Sequence, residues 1–159
     1  MHEILEILEK NSRYTDEQIA IMAGKTVEEV REAIQDFEEN SIIAGYTTLV
    51  NWENTGRDTV TALIEVKVTP QRGEGFDKVA ERLYLFDEVR ACYLMSGGFD
   101  LTVIVEGKTM RDVAMFVSEK LAVQDNVLSC ATHFVLKKYK DHGKIYKEKE
   151  FDDREVIFL

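Results

Sequence analysis

A chain of 159 residues with a hydrophobic share of 45% can bury the core of one ordinary domain or of two small ones. Its formal net charge is −10, unevenly spread: thirteen acids against five bases up to Val60 leave −8 there and −2 in the rest. No stretch approaches the ~20 apolar residues of a membrane span, and the first residues carry no apolar run behind a basic lead, so a soluble, cytoplasmic protein with no membrane partner is expected.

Ile4, Leu5, Ile7 and Leu8 mark a first short amphipathic helix. TDEQIAIMAG gives a second, capped at Thr15 and stopped at Gly24. Thr26 and Glu29 then form a capping box, each side chain reaching the other's backbone amide. Behind it Val30, Ala33, Ile34 and Phe37 recur at helical spacing and place one apolar stripe on one face. Three short helices with a tight Gly turn before the last make a trihelical unit, and Lys25 to Tyr46 reads as the second helix of a helix-turn-helix.

That helix carries the wrong charge for DNA. Only Arg31, with Lys25 just ahead, is positive, against Glu28, Glu29, Glu32, Asp36, Glu38 and Glu39. Most nonspecific affinity for duplex DNA comes from Lys and Arg releasing counterions, and an acidic reading head forgoes it. Arg31 and Gln35 share one flank, and both residue types can grip a base edge in bidentate fashion. Thr15, Lys25 and Thr26, with Lys10 and Arg13, are the candidate phosphate contacts. The plainer reading of so many acids is a solvated face.

NWENTGRD, residues 51–58, is polar and turn-rich and reads as a linker. TVTALIEVKV follows as a strand, and GFDKVAERLYLF as a helix with Phe76, Val79, Ala80, Leu83 and Phe86 on one side. VRACYLMSG and DLTVIVEG are two strands around a tight turn at Gly97 and Gly98. TMRDVAMFVSEKLAV is a capped helix with Val113, Phe116, Val117 and Leu121 inward, and VLSCATHFVLKKYK is a last long strand. The order βαββαβ predicts a ferredoxin-like split, so the fold class is α+β. Cys92 and Cys130 lie in strand-like runs without C-x-x-C spacing and are expected as buried reduced thiols, with no metal site.

With both helices on one side of a four-stranded sheet, the other face is bare, yet alternation makes it partly apolar. Ala62, Ile64, Val66 and Val68 oppose Leu63; Leu101, Val103 and Val105 oppose Thr102 and Ile104; Cys130, Phe134 and Leu136 oppose Ala131 and Val135. A partner sheet from a second copy, in a two-fold dimer, is the simplest cover. His133 fits such an interface better than catalysis, while His2 and His142 read as surface residues. The end of the chain is basic from Lys137 to Lys149, then acidic, then apolar from Val156 to Leu159. The apolar terminus is expected to dock on its own assembly or a neighbour, and the basic stretch to lie over the acidic head or over nucleic acid.

Both halves resemble the Lrp/AsnC (leucine-responsive, feast/famine) transcription regulators. NSRYTDEQIAIMAGKTVEEVREAIQDFEENSIIAGY is similar in order and spacing to their N-terminal helix-turn-helix, with Ser41 where the family pattern has Gly. SGGFDLTVIVEG is similar to the G-x-x-D turn and apolar strand of their C-terminal module. The resemblance runs from about residue 3 to 140. It implies a winged or trihelical helix-turn-helix at 1–50, a linker at 51–58, a ferredoxin-like effector-binding (RAM, ACT-like) and oligomerisation domain at 59–142, and a tail at 143–159. It also implies Gly97, Gly98, Asp100 and Thr132 as contacts to a small effector, an amino acid, held between subunits. On the residues alone, Gly97, Gly98 and Asp100 serve equally as an ordinary hairpin with a turn-capping Asp.

Two functions stand. One is a DNA-binding regulator, assembled as a dimer and into higher homo-oligomers, whose effector governs its grip on DNA. The other is a metabolite-sensing oligomer whose acidic trihelical unit binds proteins instead. No nucleophile, acid, base or metal cluster converges on one site, so neither catalytic residues nor a cofactor beyond the effector are expected.

Overall fold

Helix α1 (His2–Lys10) opens the computed structural model, which describes residues 2–69 and 75–147. The chain divides into two units, Met1–Val50 and Asn51–Leu159. The expectations for Lys149 and for the terminus Val156–Leu159 lie outside the described residues.

In the first unit α1 is followed by α2 (Asp16–Ala23) and α3 (Val27–Glu39). Thr15 accepts from the Gln18 amide at 3.3 Å while Gln18 Oε1 accepts from the Thr15 amide at 3.0 Å. The second box is the expected one, with Glu29 Oε2 2.8 Å from the Thr26 amide and the Glu29 amide 3.2 Å from Thr26 Oγ1. Each box satisfies amides that a helix start otherwise leaves orphaned. Gly24 ends α2 in the left-handed region at φ 61°, a conformation without penalty only for glycine. Ile4 and Leu8 of α1, Ile19 and Ala20 of α2, and Val30 and Phe37 of α3 are buried together as the core. Among the described residues of this unit there is no strand, so of the two expected forms the trihelical one is found.

The second unit begins with residues expected as a linker, which instead form a one-turn 3-10 helix, Trp52–Thr55. The Asn51 and Asn54 side-chain amides both donate to the Lys147 carbonyl, at 3.2 and 3.1 Å, and the Arg57 guanidinium lies 4.5 Å from the Trp52 ring centroid. These contacts tie the segment to Lys147, the last of the described residues.

Next come β1 (Val60–Val68), α4 (Asp77–Tyr84), β2 (Val89–Leu94), β3 (Leu101–Gly107), α5 (Met110–Phe116) and β4 (Val127–Phe134). The sheet is antiparallel in the order β2-β3-β1-β4, the split βαβ arrangement. Its helix-facing side buries Ala62, Ile64, Val66, Val68, Leu101, Val103 and Val105 against Val79, Leu83, Val113, Phe116 and Leu121. Phe86 and Phe116 pack edge to face at 5.5 Å. Beyond α5 the chain widens into a π-turn, Val117–Leu121. The extra residue lets Leu121 point inward after Phe116 and leaves Lys120 outside, where its ammonium pairs with Glu88.

The last strand is shorter than expected. β4 ends at Phe134, opposite Ala62 and two residues short of the start of β1; the Val135 amide makes the closing bond to Thr61 O at 2.9 Å. Leu136 is therefore not on the inner face but 88% exposed. Further on, β5 (Lys140–Asp141) and β6 (Lys144–Ile145) form a hairpin around His142 and Gly143. The tail expected from residue 143 thus starts inside a turn.

Candidate functional site

On α3 the predicted DNA contacts are exposed but engaged. Arg31 Nε lies 2.9 Å from Asp16 Oδ2, with Glu28 at 3.8 Å and Glu17 at 3.9 Å. The Asp16 hydrogen bond, then the surrounding negative charge, raises the guanidinium's already high pKa further. Gln35 Nε2 donates to Glu39 Oε1 at 2.8 Å, one helical turn on. The Thr15 and Thr26 hydroxyls are both spent on helix caps. Lys25 lines a depression of about 370 Å³ together with Glu29, Glu32 and Asp36. Thus Arg31 turns toward α2 and Lys25 toward a depression beside Ile4 of α1, and Arg31, Gln35 and Lys25 each face carboxylates of their own unit. Asp16 and Glu17 were missed as partners of Arg31, fifteen and fourteen residues away on the preceding helix, where helical spacing along α3 cannot register them.

The exit from α3 is fixed by Tyr46, whose hydroxyl donates to Glu38 Oε1 at 2.8 Å; burial, then that bond, raises the phenol's pKa. A larger groove of about 560 Å³ runs between α1 and this exit, lined by Leu5, Glu6, Leu8, Glu9, Ile42 and Tyr46 among others. None of the predicted site residues lines it.

In the second unit Asp100 is a structural post. Its Oδ2 accepts from the Val68 amide at 2.9 Å, its own amide donates to Val66 O at 3.1 Å, and its carbonyl accepts from the Met95 amide at 2.8 Å. The reason lies in the ladder: β1 pairs with β3 only as far as Val66, and its register against β4 shifts between Lys67 and Val68. The Val68 amide would otherwise be left without a strand partner, and the carboxylate supplies one. Gly97 and Gly98 stand in a six-residue loop between β2 and β3 rather than a tight turn. Neither has a left-handed φ, and a Cβ on either would meet nothing within 4 Å. They leave open backbone, not a strained bend.

Thr132 sits elsewhere. It pairs with Ile64 on β4, at the opposite edge of the sheet from the β2–β3 loop. Four residues separate Ile64 from Val68, so Thr132 lies ~13 Å along the strand direction from the Asp100 post. Gly97, Gly98 and Asp100 are brought together within one chain; Thr132 is not.

The outer face of the sheet carries Leu63, Glu65, Thr102, Ile104, Ala91, Tyr93, Ala131 and His133. Thr102 is buried between Glu65 and Tyr93, while Tyr93 is 55% exposed. His133 Nε2 stands 3.4 Å from Glu65 Oε1 on a diagonal across β1 and β4. Cys92 and Cys130 are free thiols on the helix-facing side, their pKa values raised by burial, on strands separated by two others. Among the described residues no cluster of three metal-binding side chains occurs, and no helix is long and apolar enough to cross a membrane.

The model of the Lrp/AsnC ligand binding domain matches residues 61–145. YugG, an uncharacterized HTH-type transcriptional regulator of Bacillus subtilis, is 51% identical across 98% of this chain and 94% of its own length. The HTH-type transcriptional regulator LrpA of Pyrococcus horikoshii is 33% identical across 86% of this chain and 94% of its own. Among solved structures, the leucine response regulatory protein LrpA of Mycobacterium tuberculosis superposes with a TM-score of 0.75 at 20% identity, over 89% of this chain and 94% of that one. A transcriptional regulator of Neisseria meningitidis in complex with L-Met gives 0.70 at 22% identity, over 87% and 89%.

Proposed function

This chain belongs to the Lrp/AsnC family of transcription regulators, and from that premise we propose that it binds duplex DNA through residues 1–50 under the control of an amino acid. Residues 59–142 form the effector-binding and assembly domain, working in the cytoplasm as a dimer or larger homo-oligomer. The observation that carries the reading is the union, in one chain, of a doubly capped trihelical unit with a βαββαβ sheet whose outer face carries half-buried Leu63 and Ile104 and exposed Ala131 and Tyr93.

The proposed effector site lies at the seam of two sheets. Gly97 and Gly98 offer backbone amides to the ligand's carboxylate, and Asp100 holds their loop in place through Val68 while adding negative charge for an ammonium group. Thr132 is paired with Ile64 on the helix-facing side of the sheet and lies too far along it, so it takes no part in this site. A ligand that binds one assembly state more tightly shifts the population toward it, and several heads on one scaffold then gain or lose avidity for DNA together.

Thermal denaturation in the presence of each of the twenty amino acids tests the site. One of them is expected to raise the melting temperature by several degrees, since a ligand at about 100 times its Kd adds ~2.7 kcal/mol. Gly98→Val should keep the unliganded melting point, because a side chain there meets open space, and lose the response. If no amino acid stabilises the protein, or if the variant responds like wild type, the site is wrong.

One observation favours the second reading. Arg31, the sole cation within α3, is held by three carboxylates, as suits a protein-binding rather than a DNA-binding surface. A mobility-shift experiment on the protein's own upstream DNA at ~50 mM salt separates the two. A regulator retards the fragment and is weakened by Arg31→Ala; absence of any shift selects the protein-interaction module.

A further inference from the structure

The acid balance of the first unit leaves a question of where DNA phosphates would find positive charge. Residues 1–50 hold eleven acids and four bases. Residues 137–147, by contrast, hold five lysines and one acid, and the structure folds them into a hairpin. His142 at φ 43° and Gly143 at φ 75° make a two-residue turn with both centres left-handed, the geometry that matches the twist of a tight hairpin. The Tyr146 amide donates to Tyr139 O at 3.0 Å and extends the pairing below β5 and β6. Lys140 and Lys144 thereby lie in the paired strands, with Lys137 and Lys138 just before Tyr139 and Lys147 just after Tyr146.

The hairpin is anchored rather than loose. Lys138 reaches Glu106 Oε1 at 3.5 Å on the sheet, and the Lys147 carbonyl takes both asparagine amides of the 3-10 turn. Arg57, stacked on Trp52 of that same turn, adds a further cation to the segment that holds Lys147. Tyr139, 72% exposed, lies beneath the Lys137 ammonium at 5.5 Å.

We propose that the β5–β6 hairpin is a phosphate-binding element for duplex DNA, supplying in the second unit the counterion-releasing contacts that the acidic head lacks. This rests on the DNA-binding reading above and assigns most of its salt-dependent affinity to a part of the chain outside the helix-turn-helix. The dimensions suit it. Fully extended, the five residues from Lys137 to Asp141 would span at most ~13 Å, and duplex DNA carries about eight charges over that length. Sequence preference stays with Arg31 and Gln35 on α3, since lysine contacts to phosphate fix position and not base identity.

The salt dependence of DNA binding by the full chain tests this. Wild type is compared with a fourfold Lys→Gln variant at 137, 140, 144 and 147, leaving Lys138 and its Glu106 contact in place, and with the matching Lys→Arg variant. If each lysine reaches a phosphate, the slope of log affinity against log salt falls by about 3.6 in the Gln variant, at ~0.9 per contact. Between 50 and 200 mM salt, wild type then loses roughly 100-fold more affinity than the Gln variant, while the Arg variant keeps the wild-type slope. Wild type that binds DNA alongside a Gln variant of unchanged slope overturns the hairpin proposal alone. Wild type that binds no DNA even at ~50 mM salt overturns the functional reading and this proposal with it. A Gln variant with unchanged slope but altered sedimentation assigns the lysines to the acidic head of another copy, and overturns it as well.

Discussion

Ser41 ends α3 at φ 56°, and the bonds around it form a complete Schellman closure: the Ile42 amide to Phe37 O at 2.8 Å and the Ser41 amide to Glu38 O at 3.1 Å. A residue with a Cβ pays about 1–2 kcal/mol in the left-handed region, part of which glycine gives back through its freer unfolded chain. Ser41→Gly is accordingly expected to stabilise the trihelical unit by about 1 kcal/mol, read as a higher urea midpoint at unchanged slope. A midpoint that stays or falls contradicts this account of the helix end. The sequence made the position visible, since Ser41 follows the last helical turn where the resembling family carries Gly. Asp100 was less legible. A carboxylate after two glycines reads equally as ligand or as turn cap, and only the register shift at Lys67/Val68, a property of two other strands, creates the amide it serves.

At the scale of elements, what was legible had local chemistry behind it. Thr26 and Glu29 three residues apart announce a helix start, and Val30, Ala33, Ile34 and Phe37 announce its buried face. The π-turn at Val117–Leu121 has no such signature, because it answers the need to bury Leu121 against a sheet formed from distant strands. The end of β4 and the hairpin beyond it were hidden for a related reason: alternation continues past Phe134, but the pairing with β1 closes at Thr61. The π-turn also sets a testable ion pair. Lys120 donates to Glu88 just ahead of β2, and this bond is the largest cause holding the Glu88 carboxyl below its ordinary value of 4.5. A carboxylate with a depressed folded pKa stabilises above its unfolded pKa, and that contribution disappears as pH falls through the folded value. Wild type should therefore lose more stability than Glu88→Gln as pH is lowered from 6 through the region below 4.5, with the difference small because both side chains remain partly exposed. Parallel pH profiles of the melting temperature for the two proteins would refute the assignment.

For the molecule as a whole, the decisive surface is the outer face of the sheet. Leu63 sits at its middle, opposite Ile104 on β3 and His133 on β4, with Glu65 and Thr102 one step along. A lone protomer tolerates such a surface, since single apolar residues in water are ordinary; a patch spread over four strands is what a partner sheet covers. The difference makes Leu63→Arg informative. In a solitary chain the guanidinium would lie in solvent near Glu65 and leave the fold intact. Between two sheets it would be repeated by symmetry and buried twice without sufficient partners, at a cost of several kcal/mol per charge. Wild type is expected to sediment as a dimer or larger, and Leu63→Arg as a folded protomer with nearly unchanged helical and strand content by circular dichroism. Its DNA affinity should fall in step, because separated heads lose the effective concentration that lets weak, acidic reading helices hold a duplex together. Wild type sedimenting as a single protomer, or a variant that assembles as before, would mean that this face is not the seam and that the effector site must be built within one chain.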